Sequence, residues 1–185
     1  MVLFDQIRQS VQENGLVASA PLPNDVVSEA DTPASRCSFY RRVCAIPASV
    51  QPGTGCILVR AGTVTAVTTP AHYGQAVLAY MRTSGLKIGP VVSYPRSRLW
   101  SFLALPHLRP GSPEADGLFY YHTSVAAMGT VIGLPSPAHP ARRVWVHPPV
   151  GVFRPSASVV VSCLRRIIDD GRVSAAVSLR SNSDR

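Results

Sequence analysis

Lysine is nearly absent from this chain of 185 residues: of its 18 basic residues only Lys87 is not arginine. Acidic residues are scarce as well, ten in all, and none lies between Asp31 and Glu114. The four cysteines (Cys37, Cys44, Cys56 and Cys163) contain no CxxC pair, so a structural zinc site has little support and no disulfide framework is expected. Free, mostly buried thiols are expected instead. No apolar run approaches the length that spans a bilayer; Ser158 to Cys163 is among the longest. The opening residues MVLFDQIRQSVQENG place Asp5 where a secretory leader needs an apolar core, so a cytoplasmic location without membrane attachment is expected. GxSxG, HExxH and GxxxxGK[ST] motifs are all missing, which removes the readiest routes to nucleophilic, zinc-hydrolase or nucleotide-hydrolysing chemistry.

What is present is an apolar fraction of 46%, enough for a real core at this length. Seventeen prolines and thirteen glycines predict short elements and many turns. The net charge of +8 suits a polyanionic partner such as DNA or RNA. An Ala/Val/Arg/Pro coding bias accounts for the same excess of arginine, and composition alone leaves both origins open.

Val2, Leu3, Ile7 and Val11 predict a short amphipathic helix over residues 1–15, stopped by Asn14-Gly15. Residues 16–36, rich in Pro, Asp and Ser, read as a flexible linker. A domain is expected over 37–179. Within it CILVR (56–60) and VTAVT (64–68), separated by Ala61-Gly62, predict a hairpin. Pro70 opens a helix with Tyr73, Val77, Leu78 and Met81 on one face and Gly85 as its stop. PVVSY (90–94) and LWSFLAL (99–105) form a second hairpin turned by Pro95-Arg96-Ser97-Arg98, and residues 108–117 a loop. GTVIGL (129–134) and RVWVH (143–147) read as strands around a proline-rich connection. A helix over 156–169 is capped by Ser156, with Val159, Val160, Cys163, Leu164 and Ile167 inward. Residues 173–179 read as an edge strand and 180–185 as a disordered tail. The fold class is therefore α+β, a mixed, mainly antiparallel sheet with two or three packed helices.

Metal-dependent phosphoryl transfer needs converging carboxylates. The pairs on offer, Glu114 with Asp116 and Asp169 with Asp170, sit in a Gly/Pro loop and at a helix end, where solvated turn residues are the simpler reading. The histidines (His72, His107, His122, His139, His147) form no recognisable triad. Four arginine clusters are the positive signal: Arg41-Arg42 beside Phe39-Tyr40, Arg96 and Arg98 near Trp100, Arg142-Arg143 before Trp145, and Arg165-Arg166 on the last helix. Arginine beside aromatics suits nucleic acid, with guanidinium on phosphate and ring on base. The alternative is that Tyr40, Trp100 and Trp145 pack inside while the arginines solvate the rim.

Three segments resemble, in order and spacing, the N-terminal domain of bifunctional DNA primase/polymerases (prim-pol), in particular the diverged stand-alone forms of actinobacteria and their integrative plasmids. They are ILVRAGTVTAVTTPAHYGQAVLAYMRTSG, IGPVVSYPRSRLWSFLAL and GTVIGLPSPAHPARRVWVHPP, somewhat over half the chain. The resemblance implies an Asp-x-Asp metal motif at the positions of Val67 and Thr69, a nucleotide-binding histidine among Leu99, Trp100 and Ser101, and a third acid near Tyr120, Tyr121 and His122. None of these functional residue types is present at its position. The expectation is a degenerate, non-catalytic prim-pol-like shell with no cofactor and no metal. It would bind DNA, strand preference open, or dock on a replication or regulatory protein, and so act as an activator or controller of a plasmid-like element. Residual primase or polymerase activity through Glu114, Asp116 and His122 is the enzymatic alternative.

Overall fold

The computed structural model describes residues 31–108 and 115–183, with side chains of the last helix described as far as Gly171. The expected N-terminal helix (1–15), the linker up to residue 30, Arg109, Glu114 and residues 184–185 lie outside the described residues.

The first element among the described residues is helix α1 (Pro33–Arg42), where the linker was expected to run on to residue 36. Thr32 and Ser35 form a reciprocal cap. The Ser35 N–H donates to the Thr32 hydroxyl at 3.1 Å, the Thr32 N–H donates to the Ser35 hydroxyl at 3.0 Å, and Pro33 occupies the first turn. Proline, read as a linker residue, is here a helix starter.

Strands β1 (Ala48–Val50), β2 (Ile57–Arg60) and β7 (Val131–Leu134) form a three-stranded antiparallel sheet in the order β1-β2-β7. Strands β3 (Thr65–Pro70), β4 (Val91–Tyr94), β5 (Leu99–Ala104), β6 (Ser124–Val125) and β8 (Val144–His147) form a five-stranded antiparallel sheet in the order β6-β3-β5-β4-β8. Among the described residues there are thus three α-helices and two antiparallel sheets, the expected α+β class with one sheet more than foreseen.

The expected hairpin between 56–60 and 64–68 does not form, because β2 and β3 belong to different sheets. After Arg60 the Ala61 N–H donates to the Thr130 carbonyl at 2.8 Å, and the Gly62 N–H to that of Val64 at 3.0 Å. The bend carries the chain across to the other layer, with Val64 fully buried at the crossing. The hairpin β4–β5 is present as expected, in the register Val91↔Phe102 to Tyr94↔Leu99.

Consecutive residues of the five-stranded sheet face opposite layers, as the pleat requires. Ala66, Val92 and Leu103 join Tyr40, Ile46, Ile57, Val59, Ile132 and Leu134 in one buried cluster, between this sheet, the small sheet and α1. Val67, Val91, Phe102 and Ala104 join a second cluster with helices α2 (Ala71–Thr83) and α3 (Ala157–Ser183). The large sheet is therefore a central layer with apolar packing on both faces.

Helix α2 follows the predicted pattern: Val77, Leu78 and Met81 are buried, and Gly74 admits the Trp100 ring so closely that a Cβ there would stand 2.8 Å from it. Gly85 ends the helix with φ +66°. Its N–H donates to the Arg82 carbonyl and the Leu86 N–H to that of Met81 at 2.9 Å, the paired bonds of a Schellman motif. At the start of α3 the Ser156 hydroxyl accepts from the Ser158 N–H at 3.3 Å, as expected of a cap. Val160, Cys163 and Leu164 are buried as expected, but Val159 is exposed, and Val161 and Ile168 take core positions. The helix runs on to Ser183. The expected edge strand (173–179) is helical, as is the expected tail through residue 183, because SAAVSLRS holds no breaker and its Ala, Leu and Arg favour helix. Among the described residues no helix is long and apolar enough to cross a membrane.

Candidate nucleic-acid interface

The second strand pair and the connection out of β7 determine where the arginines fall. Arg96 and Arg98 occupy the β4–β5 turn and are both exposed. That turn contributes Ser97 to a cleft of about 310 Å³ bounded by the free edge of β7 and one face of the large sheet. Thr68, Tyr94, Ser101, Ser124, Gly133 and Arg143 line the same cleft. The Thr68 and Ser101 hydroxyls are 2.6 Å apart, and the Tyr94 hydroxyl donates to the Gly133 carbonyl at 3.0 Å. Burial pushes the Tyr94 phenol above its ordinary pKa, so it stays a neutral donor.

Arg143 lies flat against Gly133, where a Cβ would collide with its Nε and Cζ. Among the described residues the ion pairs are Arg36–Asp31 and Arg166–Asp170, so Arg143 has no carboxylate partner there. Gly133→Ala should therefore eject the guanidinium from the cleft while leaving the β2–β7 register intact. It should lower affinity for a polyanion about as much as Arg143→Gln, as read in one titration of both variants. Full wild-type affinity in Gly133→Ala would show that this seat of Arg143 has no part in binding.

The other expected site residues divide among three places. Arg142 is exposed beside Cys56, its Nη1 at 3.8 Å from the sulfur. The Thr54 hydroxyl, with Arg143 and Arg142 nearby, holds the Cys56 thiol below its ordinary range against the opposing effect of burial. Arg41 and Arg42 are exposed at the end of α1 and line a separate depression with Ser49 and Val50. Arg165 and Arg166 are engaged within the protein: Arg165 donates to the Asp116 carbonyl, and Arg166 pairs with Asp170 at 4.0 Å. The structure thus gathers Arg143, with the turn bearing Arg96 and Arg98, at one cleft and leaves the Arg41-Arg42 and Arg165-Arg166 pairs elsewhere.

Of the aromatic neighbours of these arginines, Phe39 is 40% exposed beside Arg41-Arg42, whereas Tyr40, Trp100 and Trp145 pack inward. Tyr40 is 1% exposed, donates to the Pro135 carbonyl at 3.0 Å and accepts from the Trp145 indole N–H at 2.9 Å. Trp100 packs on Gly74 and Trp145 on the core between the sheets. The most open aromatic rings among the described residues are Phe119 and Tyr120, 67% and 74% accessible, on the 3₁₀ turn Leu118–Tyr121. No arginine adjoins them in the sequence, so the pairing of arginine with aromatics does not mark them.

Val67 and Thr69, at the positions where the resemblance implies metal-binding acids, are fully buried. Val67 packs beneath α2 and α3, and the Thr69 hydroxyl meets that of Thr123 at 2.9 Å. They belong to the helix-covered face, whereas the open cleft uses their neighbours Ala66 and Thr68. Of the alternative ligands, Asp116 shares a small depression with Asp169 and Arg165, while His122 is exposed with φ +50°. Among the described residues no three His, Cys, Asp or Glu side chains converge to hold a metal. His139 and His147 are spent on backbone carbonyls, those of Thr54 at 2.8 Å and Gly89 at 3.0 Å. All four thiols are free and buried, as expected.

No protein-family model, curated protein or solved structure matches the chain.

Proposed function

We propose that this protein is a non-catalytic nucleic-acid-binding protein, an accessory or regulator rather than an enzyme, with DNA its expected polymer. The observation that carries the proposal is the cleft itself: an arginine without a carboxylate partner among the described residues, Ser124 and Thr130 in the same lining, and a turn with two further exposed arginines at its side. Hydroxyls and guanidinium groups are the donors that phosphate oxygens take. The chain from Asp31 to Glu114 holds nine cations and no carboxylate between them, so little opposes an approaching polyanion. The prim-pol resemblance supports the narrower reading, control of replication or expression of a plasmid-like integrative element from the cytoplasm.

If Arg96, Arg98, Arg142 and Arg143 engage roughly four phosphates, log K should fall with log salt at a slope of about −3.6 on duplex DNA. Replacing Arg96, Arg98 and Arg143 together with glutamine should flatten that slope by about 2.7. The pair Arg165→Gln and Arg166→Gln should leave it unchanged, because both side chains already have partners within the protein. Absence of binding at low salt, or a slope indifferent to the triple replacement, refutes the proposal. A second reading, a protein–protein adaptor on a replication protein, is favoured by Val150 and Val152, 89% and 64% exposed in the loop after β8.

A further inference from the structure

Beside the arginine cleft lies a second cavity of about 420 Å³ with a different chemistry. Leu118, Phe119, Val125 and Met128 give it apolar walls. Its buried hydroxyls are already committed. Thr65 donates to the Ala126 carbonyl at 2.8 Å, and Thr123 lies between Thr69 at 2.9 Å and the Tyr121 carbonyl at 3.2 Å. An occupant of this cavity is therefore selected by apolar surface and shape.

Ser124 and Ala126 line both cavities, so the cationic cleft and the apolar one adjoin across the single short strand β6 and its end. At the rim the Phe119 and Tyr120 rings stack with centroids 3.9 Å apart and planes inclined by 34°. Met128 is 90% exposed beside them. Two aromatic rings and a methionine left this open are an unpartnered apolar surface, and such surfaces mark binding sites.

We propose that the two cavities together read a single-stranded nucleic acid, with a phosphate on Arg143 and an unpaired base in the apolar cavity against Phe119. This inference rests on the nucleic-acid reading above and specifies the form of polymer. A base offers an apolar π-face only when it is unstacked; in a duplex both faces are covered by neighbouring pairs. The cleft opens on the face of Ala66 and Thr68 and the apolar cavity on the face of Thr65 and Val125. An occupant of both must bend round the edge strand β6, which a flexible single strand can do and a stiff duplex cannot.

The test is fluorescence anisotropy at fixed salt with three labelled probes: (dT)20, an abasic strand with the same number of phosphates, and a 20-base-pair duplex. Wild-type protein should bind (dT)20 about tenfold or more tightly than the other two. Phe119→Ala should weaken (dT)20 binding by about 5- to 160-fold, the range for loss of one stacking contact, and leave the abasic strand unchanged. Arg143→Gln should weaken all three probes. Met128→Ala, at a side chain with almost no packing to lose, should reproduce the selective loss should Phe119→Ala fail to fold. Equal, salt-sensitive affinity for the three probes overturns the inference and leaves the nucleic-acid reading standing. Binding to none of them refutes that reading itself. If Phe119→Ala and Met128→Ala leave all three affinities unchanged, the cavity serves another occupant, such as a protein side chain, and the inference falls.

Discussion

Tyr40→Ala is expected to lower stability by about 3–5 kcal/mol, roughly a fifth or more of what a domain of this size usually has. Only Tyr40 and Cys37 of helix α1 are buried, so the tyrosine is the main anchor that holds this helix against the small sheet. Its ring meets Trp145 edge-on with centroids 5.7 Å apart, and its hydroxyl bridges the Trp145 indole and the Pro135 carbonyl. Tyr40→Phe keeps the ring but strands a donor and an acceptor, which should cost about 1–2 kcal/mol. Urea unfolding followed by the fluorescence of Trp100 and Trp145 measures both. A Tyr40→Ala midpoint close to wild type would mean that α1 docks by other contacts.

The second large effect concerns a buried cation. Arg154 is 9% exposed, donates to the Cys44 carbonyl at 2.7 Å and to that of Ala45 at 3.2 Å, and has no carboxylate partner among the described residues. Desolvation lowers its pKa, yet the two carbonyls just beyond the end of α1 supply the negative ends of dipoles that keep the charge tolerable. Ala45 holds φ +49°, a left-handed turn that these bonds help to fix. Arg154→Ala should cost about 2–4 kcal/mol, since it removes two charge-assisted bonds and leaves a buried carbonyl unpaired. Arg154→Met fills the space without the charge and should recover part of that loss. Because the attraction is buried and pairs a charge with dipoles, raising salt to half molar should leave the difference between wild type and Arg154→Ala nearly unchanged. A difference that disappears in salt would assign the arginine to a surface ion pair instead.

Local signals carried the elements that depend only on local chemistry. Pro70 and Gly85 bracket α2, and Pro95 to Arg98 turn β4 into β5. The partition of β2 and β3 into two sheets depends on β7, whose residues are distant in sequence, and no local pattern announces it. Helix α1 was hidden because its cap pairs Thr32 with Ser35 rather than with the more familiar glutamate. Adjacency in sequence misplaced the aromatics: successive helical positions point about 100° apart, so Tyr40 goes inward where Arg41 and Arg42 go outward. The cleft draws on β3, β5, β7 and the segment before β8, so only Arg143 and the arginine-bearing turn could be picked out beforehand. The resemblance placed its metal positions at Val67 and Thr69, and pleat parity puts those on the covered face of the sheet.

The pairing of β2 with β7 joins residues 57–60 to residues 131–134, more than seventy positions further along. During synthesis the β1–β2 ribbon therefore leaves the ribosome well before its third strand exists, with a naked edge and Ile57 and Val59 uncovered. Closing so long a loop is entropically slow, and non-local strand pairing belongs to chains that fold in milliseconds to seconds. Until residues 131–134 emerge, the nascent chain carries an open strand edge beside apolar side chains, the kind of surface that favours aggregation over folding.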